Sequence, residues 1–230
     1  MYAFKPQKNS FHFVLGVCGA LGCALCYLVG FIMIFWIEPG VQLHAEKKLN
    51  YVLQNGLVFQ TWYFFVFLGF SLFFLLLLRA IKQWIGPDES LGYYLTNMFG
   101  FIWSSYIFVC GLISILTIQY VLSISPDQQR GVWMVIFLMQ SGLGDGAEWV
   151  GGIWLTTISW HLLSIGKGPK IISILGLISG FSGCFTLIPG FAFAGVIFGL
   201  SQLVWFILIA KHLLLLSSLH NRSFGLTVTR

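Results

Sequence analysis

The chain has 230 residues, of which 58% are hydrophobic and only 8% are charged, and its formal net charge is +5. Soluble domains usually carry about 25% charged residues, so this composition excludes an ordinary soluble fold and predicts a membrane protein. The positive charge does not call for nucleic acid as a partner, because membrane topology and attraction to anionic lipid account for it.

Six apolar segments predict the fold class, an all-α polytopic transmembrane helical bundle formed by one integral membrane domain over residues 1–230. A helix needs roughly 20 apolar residues to cross the bilayer, and these segments are continuous, unlike the alternating strands of a transmembrane barrel. In chain order they run approximately from Phe13 to Ile37, Leu57 to Leu78, Tyr93 to Leu122, Val132 to Ile165, Ile171 to Ile188 and Phe191 to Leu216.

The first segment follows Lys5 and Lys8, as a secretory signal would. It continues unbroken to Ile37, so a retained helix is the preferred interpretation. Its Cys23 and Cys26 form a Cys-x-x-Cys within a helix, where helix packing is favoured over a redox role.

Between the first two segments, Glu38 to Asn50 is predicted to be a polar connection. Ile188-Pro189-Gly190 joins the last two segments so tightly that they are predicted to form an antiparallel hairpin. Small residues at Gly176-x-x-x-Gly180 and Gly195-x-x-x-Gly199 favour close helix packing. Four tryptophans are predicted to be anchors near the membrane interfaces, namely Trp36, Trp62, Trp84 and Trp103.

The basic residues predict the orientation, since positively charged loops stay in the cytoplasm. With six spans, nine of the twelve Lys and Arg residues fall on the side of both termini, which is therefore predicted to be cytoplasmic. These nine are Lys5, Lys8, Arg79, Lys82, Lys167, Lys170, Lys211, Arg222 and Arg230, whereas Lys47, Lys48 and Arg130 fall on the other side.

Asp145 and Glu148 lie in the middle of the fourth segment. A carboxylate at bilayer depth costs roughly 2.5 to 3.5 kcal/mol on insertion scales, so it normally faces a cavity or a partner and marks a candidate functional site. Two carboxyl groups one helical turn apart cannot cheaply both be charged, so we expect that one holds a proton or that a cation sits between them.

Steps of three and four residues place a stripe of polar and small residues on one face of this helix, which should face the bundle interior. The stripe comprises Ser141, Asp145, Glu148, Gly152, Thr156 and Ser159. Frequent glycines between Gly142 and Gly152 suggest close contact with a neighbouring helix or a local break. The predicted substrate- or ion-binding residues are Asp145, Glu148, Ser141, Gly152, Trp149, Asn97 and Gln202.

Three histidines, His12, His161 and His212, fall at the predicted cytoplasmic ends of spans. Imidazoles at one depth can ligate haem or a metal, but no recognised ligand spacing accompanies them, so no cofactor is expected and ligation is only an alternative. No phosphate loop, Gly-x-Ser-x-Gly elbow or zinc-protease helix is present, so the sequence does not favour a catalytic role.

The C-terminal half carries a resemblance, from Gly146-Ala-Glu-Trp-Val-Gly-Gly-Ile-Trp154 through Pro169-Lys-Ile-Ile-Ser-Ile-Leu-Gly176-Leu-Ile-Ser-Gly180 to Trp205. It resembles an uncharacterised bacterial family of six-span membrane proteins that carries a domain-of-unknown-function label. The resemblance implies a six-helix bundle in the bacterial cytoplasmic (inner) membrane and no particular activity.

The leading hypothesis is a membrane protein that binds or translocates a proton, a cation or a small lipid-like molecule at an Asp145 and Glu148 pocket. In the first alternative the acids are inter-helix hydrogen-bonding groups in a structural or assembly subunit of a membrane complex. A membrane-embedded enzyme is the third hypothesis. The predicted partners are the lipid bilayer, a small-molecule or cationic ligand and a membrane-protein partner.

Overall fold

The computed structural model describes the backbone of residues 7–37, 44–191 and 193–225, and the side chains of residues 11–35, 44–143, 146–191 and 193–220. The described part is all-helical, with seven α-helices and two π-helical segments, Met33–Ile37 and Phe64–Gly69. The α-helices are α1 (Gln7–Ile32), α2 (Ala45–Tyr63), α3 (Phe70–Ile85), α4 (Leu91–Ser123), α5 (Pro126–Ser164), α6 (Lys170–Phe185) and α7 (Phe193–Gly225).

The helices form a closed ring of antiparallel neighbours in the order α1, α7, α6, α5, α4 and the continuous pair α2–α3, which returns to α1. The start of α1 and the C-terminal part of α7 meet at one end of the bundle, which we call the terminal end. The opposite end, where α2, α5 and α7 begin, is the distal end. Contacts that establish the order are Gly16 with Ala80 and Leu213, Gly111 with Leu68, Gly151 with Trp103, Gly180 with Thr156, and Gly183 with Phe198.

Four helical stretches are long and apolar enough to cross a membrane, namely Phe11–Phe35, Ala45–Ile85, Leu91–Ser123 and Phe193–His220. The helix α6 is also apolar but has only 16 residues, and α5 carries the two carboxylates in its middle. Large apolar side chains are exposed on the outside of the bundle, as with Leu57 and Leu138. Such apolar helices suggest contact with a lipid bilayer.

The second predicted segment is longer than the sequence indicated. Helix begins at Ala45, is kinked at Asn55, where φ is −131° and ψ is 36°, and continues through the π segment Phe64–Gly69 into α3. The predicted polar connection from Glu38 to Asn50 is therefore wrong for its last part. Residues Leu49, Val52, Gly56, Phe59 and Tyr63 are buried at steps of three and four, so tertiary packing extends the helix beyond the continuous apolar run.

Aromatic side chains form the middle of the bundle. Trp103 and Trp154 stack with ring centroids 5.6 Å apart, and Phe74 lies edge-on to both at 4.6 and 4.7 Å. Trp205 adds an edge contact to Trp154. The prediction that Trp103 is an interfacial anchor is wrong, because it is 1% exposed and packs at the centre of this cluster. Large rings at helix crossings fill volume that aliphatic side chains would leave empty.

Thiol groups of α1 contact the π segment Phe64–Gly69 and the start of α3. Cys26 Sγ donates to the carbonyl oxygen of Phe65 at 3.2 Å, and Cys23 Sγ lies 3.9 Å from the carbonyl oxygen of Phe70. A π turn disturbs the regular ladder and leaves carbonyl groups that need other donors. Cys26 therefore fastens α1 to this segment, and Cys23 contacts the first residue of α3.

Helices α5 and α6 approach at glycines. A Cβ on Gly152 would lie 2.7 Å from both the amide nitrogen of Cys184 and the carbonyl oxygen of Gly180. Helix α5 is continuous from Pro126 to Ser164, so the alternative prediction of a local break is wrong. The predicted close contacts are made at Gly146, Gly151 and Gly152. The predicted hairpin between the last two segments is confirmed, with Gly190 in its turn at φ 88°.

Candidate functional site

A cavity of about 480 Å³ opens in the distal half of the bundle, enclosed by α1, α2, the π segment Phe64–Gly69, α4, α5 and α7. This volume is within the usual range of small-molecule sites. Nine of its 24 lining residues are aromatic, and two, Lys48 and Glu148, carry charged groups. The aromatic residues are Tyr27, Phe31, Trp62, Tyr63, Phe67, Phe70, Trp103, Phe137 and Phe198.

Glu148 from α5 lines the same cavity as Trp103 of the aromatic middle of the bundle. A Cβ on Gly195 would lie 2.7 Å from Glu148 Oε2, so the carboxylate packs directly against this glycine of α7. Tyr27 lines the same cavity, and its hydroxyl donates to Gln202 Oε1 at 3.0 Å. The fully buried Gln202 thus lies directly behind the wall that Tyr27 forms.

Lys48 from α2 lines the cavity toward its distal end and is only 5% exposed. Its ammonium nitrogen lies 5.7 Å from the ring centroids of both Tyr63 and Phe137, which is a cation–π distance. Gln140 and Trp62 line the same cavity. The cavity therefore has a basic and an acidic side chain in its lining, separated by aromatic rings.

The structure brings together only some of the predicted site residues. Ser141 lines the cavity with Glu148, and its hydroxyl donates to the carbonyl oxygen of Phe137 at 2.9 Å. Gly152 packs against α6, and Trp149 is 39% exposed on the outer face of α5. The side chain of Asp145 lies outside the described residues, so its relation to Glu148 stays a prediction.

Asn97 lies apart from Glu148, in a smaller pocket at the terminal end that also contains Lys82 and Asp88. Its amide nitrogen donates to the carbonyl oxygen of Tyr93 within α4, at 2.8 Å. The residue therefore belongs to a different polar region from the cavity. On the axis of α4, Asn97 precedes the cavity-lining Trp103 by about 9 Å at 1.5 Å per residue.

Asp88, Ser90 and His161 form a polar cluster at the terminal end. The backbone amide of Ser90 donates to Asp88 Oδ1 at 2.9 Å and holds the pKa of that carboxyl below its ordinary value. Asp88 Oδ2 lies 3.2 Å from His161 Nε2. The Ser90 hydroxyl donates to Asp88 and accepts from the amide of Tyr93 as the α4 N-cap. These contacts connect the α3–α4 loop to α5 and occupy the serine as a helix cap rather than as a nucleophile.

The three histidines of the alternative haem or metal prediction have different neighbours. His161 lies in the cluster with Asp88, His212 packs edge-on to Trp84 at 4.7 Å, and the ring of His12 is 6.3 Å from that of Phe11. Within the described side chains, no three His, Cys, Asp or Glu residues are grouped as metal ligands. Ligation at these histidines stays an alternative prediction.

Sequence reasoning missed Tyr27, Lys48 and Gln140 as cavity residues. Lys48 was interpreted only as a topology signal, although the three- and four-residue spacing from Leu49 to Tyr63 contains the helical pattern that buries it. Tyr27 is a single polar residue in an apolar segment, and Gln140 directly precedes Ser141 but lies outside the predicted stripe. Their convergence depends on which helices are neighbours in the ring.

Comparisons with protein-family models, with curated proteins and with solved structures give no match to this chain. The resemblance to a six-span bacterial family therefore stays an expectation. The class that the fold supports is a helical integral membrane protein, because its long apolar helices are suited to the bilayer. Any more particular assignment depends on the chemistry of the cavity.

Proposed function

We propose that this protein is a six-span protein of the bacterial cytoplasmic membrane, with both termini in the cytoplasm, and that it binds a small cationic or lipid-like molecule beside Glu148. The six antiparallel passes of the ring support the six-span topology. Binding of a proton at the same carboxylate is part of this proposal, because a carboxylate that takes up a cation in an apolar site also competes for a proton.

The observation that carries the proposal is a carboxylate placed in an aromatic-lined cavity inside an apolar bundle. Glu148 lines the cavity, and its carboxylate packs against Gly195 of α7. Aromatic faces such as those of Tyr27 and Phe198 attract organic cations, and the attraction strengthens when water is excluded. Negative charge and aromatic rings in one cavity therefore favour a cation with an apolar surface over a hydrated metal ion.

The proposal is tested by equilibrium binding of tetraphenylphosphonium, an apolar organic cation, to the purified full-length protein in detergent. We expect saturable binding to wild type and an affinity loss of roughly tenfold or more in Glu148→Gln, because the charged partner is lost. Glu46→Gln is the matched control, since Glu46 is exposed on α2 and pairs with Arg130 away from the cavity lining. This control should bind like wild type.

The same measurement distinguishes the main alternative, in which Glu148 only fastens helices in a structural or assembly subunit. In that case wild type fails to bind the probe, and Glu148→Gln loses folded protein, as judged by gel filtration and by its unfolding midpoint. Binding to a well-folded Glu148→Gln with wild-type affinity would also reject the proposed site. Proton release to a weakly buffered solution on binding would show that the cation competes with a proton.

A further inference from the structure

The distal end of the cavity has a chemistry different from that at Glu148. Three lining side chains there carry hydrogen-bond donors, namely the ammonium of Lys48, the indole N–H of Trp62 and the amide of Gln140. Lysine and tryptophan have only donors, and glutamine adds two donors and one acceptor group. A set so rich in donors matches the oxygen atoms of a carboxylate or a phosphate group.

Two of these groups are buried without a partner. Among the described residues, neither the amide nitrogen and oxygen of Gln140 nor the indole nitrogen of Trp62 makes a hydrogen bond, although all three atoms are inaccessible to solvent. Buried polar groups without partners are costly and call for an explanation. Both side chains line the cavity, so an acceptor bound within it would satisfy the two nitrogen donors once the side chains rotate toward it.

The position of Lys48 strengthens this inference. The residue is almost fully buried, and its ammonium lies between the rings of Tyr63 and Phe137 at 5.7 Å from each centroid. Gln140 is one turn after Phe137 on α5, so the glutamine and the ammonium are at neighbouring levels of the bundle. Lysine at such a site attracts an anionic group more strongly than it would in water, since the surroundings have a low dielectric constant.

The distance between the two polar ends limits the shape of the occupant. Phe137 and Glu148 are separated by about 16 Å along α5 at 1.5 Å per residue. Apolar side chains such as Phe67, Phe70 and Ile107 also line the cavity. A compact ion would leave this apolar length unoccupied, whereas a molecule with one acidic end and a hydrocarbon chain would fill it.

We propose that Lys48, Trp62 and Gln140 form an anion-binding subsite that receives the carboxylate or phosphate head of a single-chain amphiphile, with its chain directed toward Glu148. The inference rests on the proposed function only in that the cavity is a ligand site. It adds a chemical class of ligand, an acidic lipid-like molecule, and assigns recognition of its head to Lys48. The carboxyl of Glu148 then lies near the far end of the chain and determines which chemical group that end can carry.

The test uses four probes with one dodecyl chain and different heads: dodecanoate, dodecyl phosphate, dodecanol and dodecyltrimethylammonium. Each is titrated against the full-length protein in phosphatidylcholine nanodiscs, and the unfolding midpoint reports binding, because a ligand that binds the folded state stabilises it. Inorganic phosphate without a chain is titrated in parallel to distinguish a lipid-like acid from a free anion.

We expect the two acidic probes to raise the unfolding midpoint at the lowest concentrations. Lys48→Met should weaken the affinity for the acidic probes roughly tenfold, with little effect on the affinity for dodecanol. Lys47→Met is the matched control, because Lys47 is the exposed neighbour on the same helix. Trp62→Phe keeps an aromatic ring but removes the N–H, and it should weaken the acidic probes as well. If Lys48→Met does not fold, Trp62→Phe tests whether the subsite recognises the acidic head.

The remaining outcomes either overturn the subsite or separate it from the proposed function. Equal affinity for acidic probes in wild type and both folded variants rejects recognition by these residues. Stabilisation by inorganic phosphate alone rejects the amphiphile. A preference for dodecyltrimethylammonium that depends on Glu148 rejects the anion subsite but leaves the proposed function intact. Binding of the acidic probes through Lys48, without binding of tetraphenylphosphonium, supports the subsite and rejects cation binding at Glu148.

Discussion

Replacement of Gly152 by alanine should separate α5 from α6 at their closest crossing. The new Cβ would lie 2.7 Å from two backbone atoms of α6, in Gly180 and Cys184. Ordinary contacts of a Cβ begin at about 3.4 Å, so the α6 backbone would have to move by roughly 0.7 Å. A gap of this size forfeits about a quarter to a half of the dispersion attraction along the displaced interface.

The free energy of unfolding follows from two opposing effects. Overpacking of a close interface costs roughly 1–3 kcal/mol, while alanine gains up to about 1 kcal/mol of helix propensity over glycine. Gly142→Ala is the matched control on the same helix, because nothing lies within 4 Å of a Cβ at Gly142. The propensity gain largely cancels between the two variants, so Gly152→Ala should be less stable than Gly142→Ala by roughly 1–3 kcal/mol.

The comparison is made by titrating a denaturing detergent into micelles of a mild detergent and following unfolding by tryptophan fluorescence. If Gly152→Ala and Gly142→Ala have the same free energy of unfolding, the backbone approach at Gly152 does not constrain the bundle. The inference that this glycine serves packing, rather than ligand binding, would then be refuted.

Two further predictions concern hydrogen bonds at other positions. The Ser90 amide stabilises ionised Asp88 and lowers its pKa in the folded protein. The stability that this provides should be fully present above the ordinary aspartate pKa of about 3.9 and should decline as pH falls through the lowered folded pKa. In a pH series of unfolding midpoints, Asp88→Asn should reduce that decline. Cys26→Ala removes the donor to Phe65 in the π segment and should lose about 1 kcal/mol of unfolding free energy, whereas Cys18→Ala, at an exposed position of α1, should lose less. Equal losses would show that the thiol bond contributes nothing.

The local character of most helices follows directly from the sequence. Continuous apolar segments leave the backbone no alternative to internal hydrogen bonding, so helices are required wherever such a segment enters lipid. The short connection at Pro189 also made the α6–α7 hairpin predictable. Glu148 was identifiable as a candidate because a carboxylate in an apolar helix is costly wherever the helix packs.

Only the tertiary structure decided which polar residues share a cavity. Tyr27 and Lys48 lie far from Glu148 in sequence, and they line one cavity because α1, α2 and α5 all border the same interior space. Asn97 has a similar polar character but lies toward the other end of the bundle with Asp88. Helical periodicity determines which residues share a face of one helix, whereas the level and neighbour of that face are set by long-range packing of the ring. That packing depends on contacts between distant residues, which no local pattern in this chain specifies.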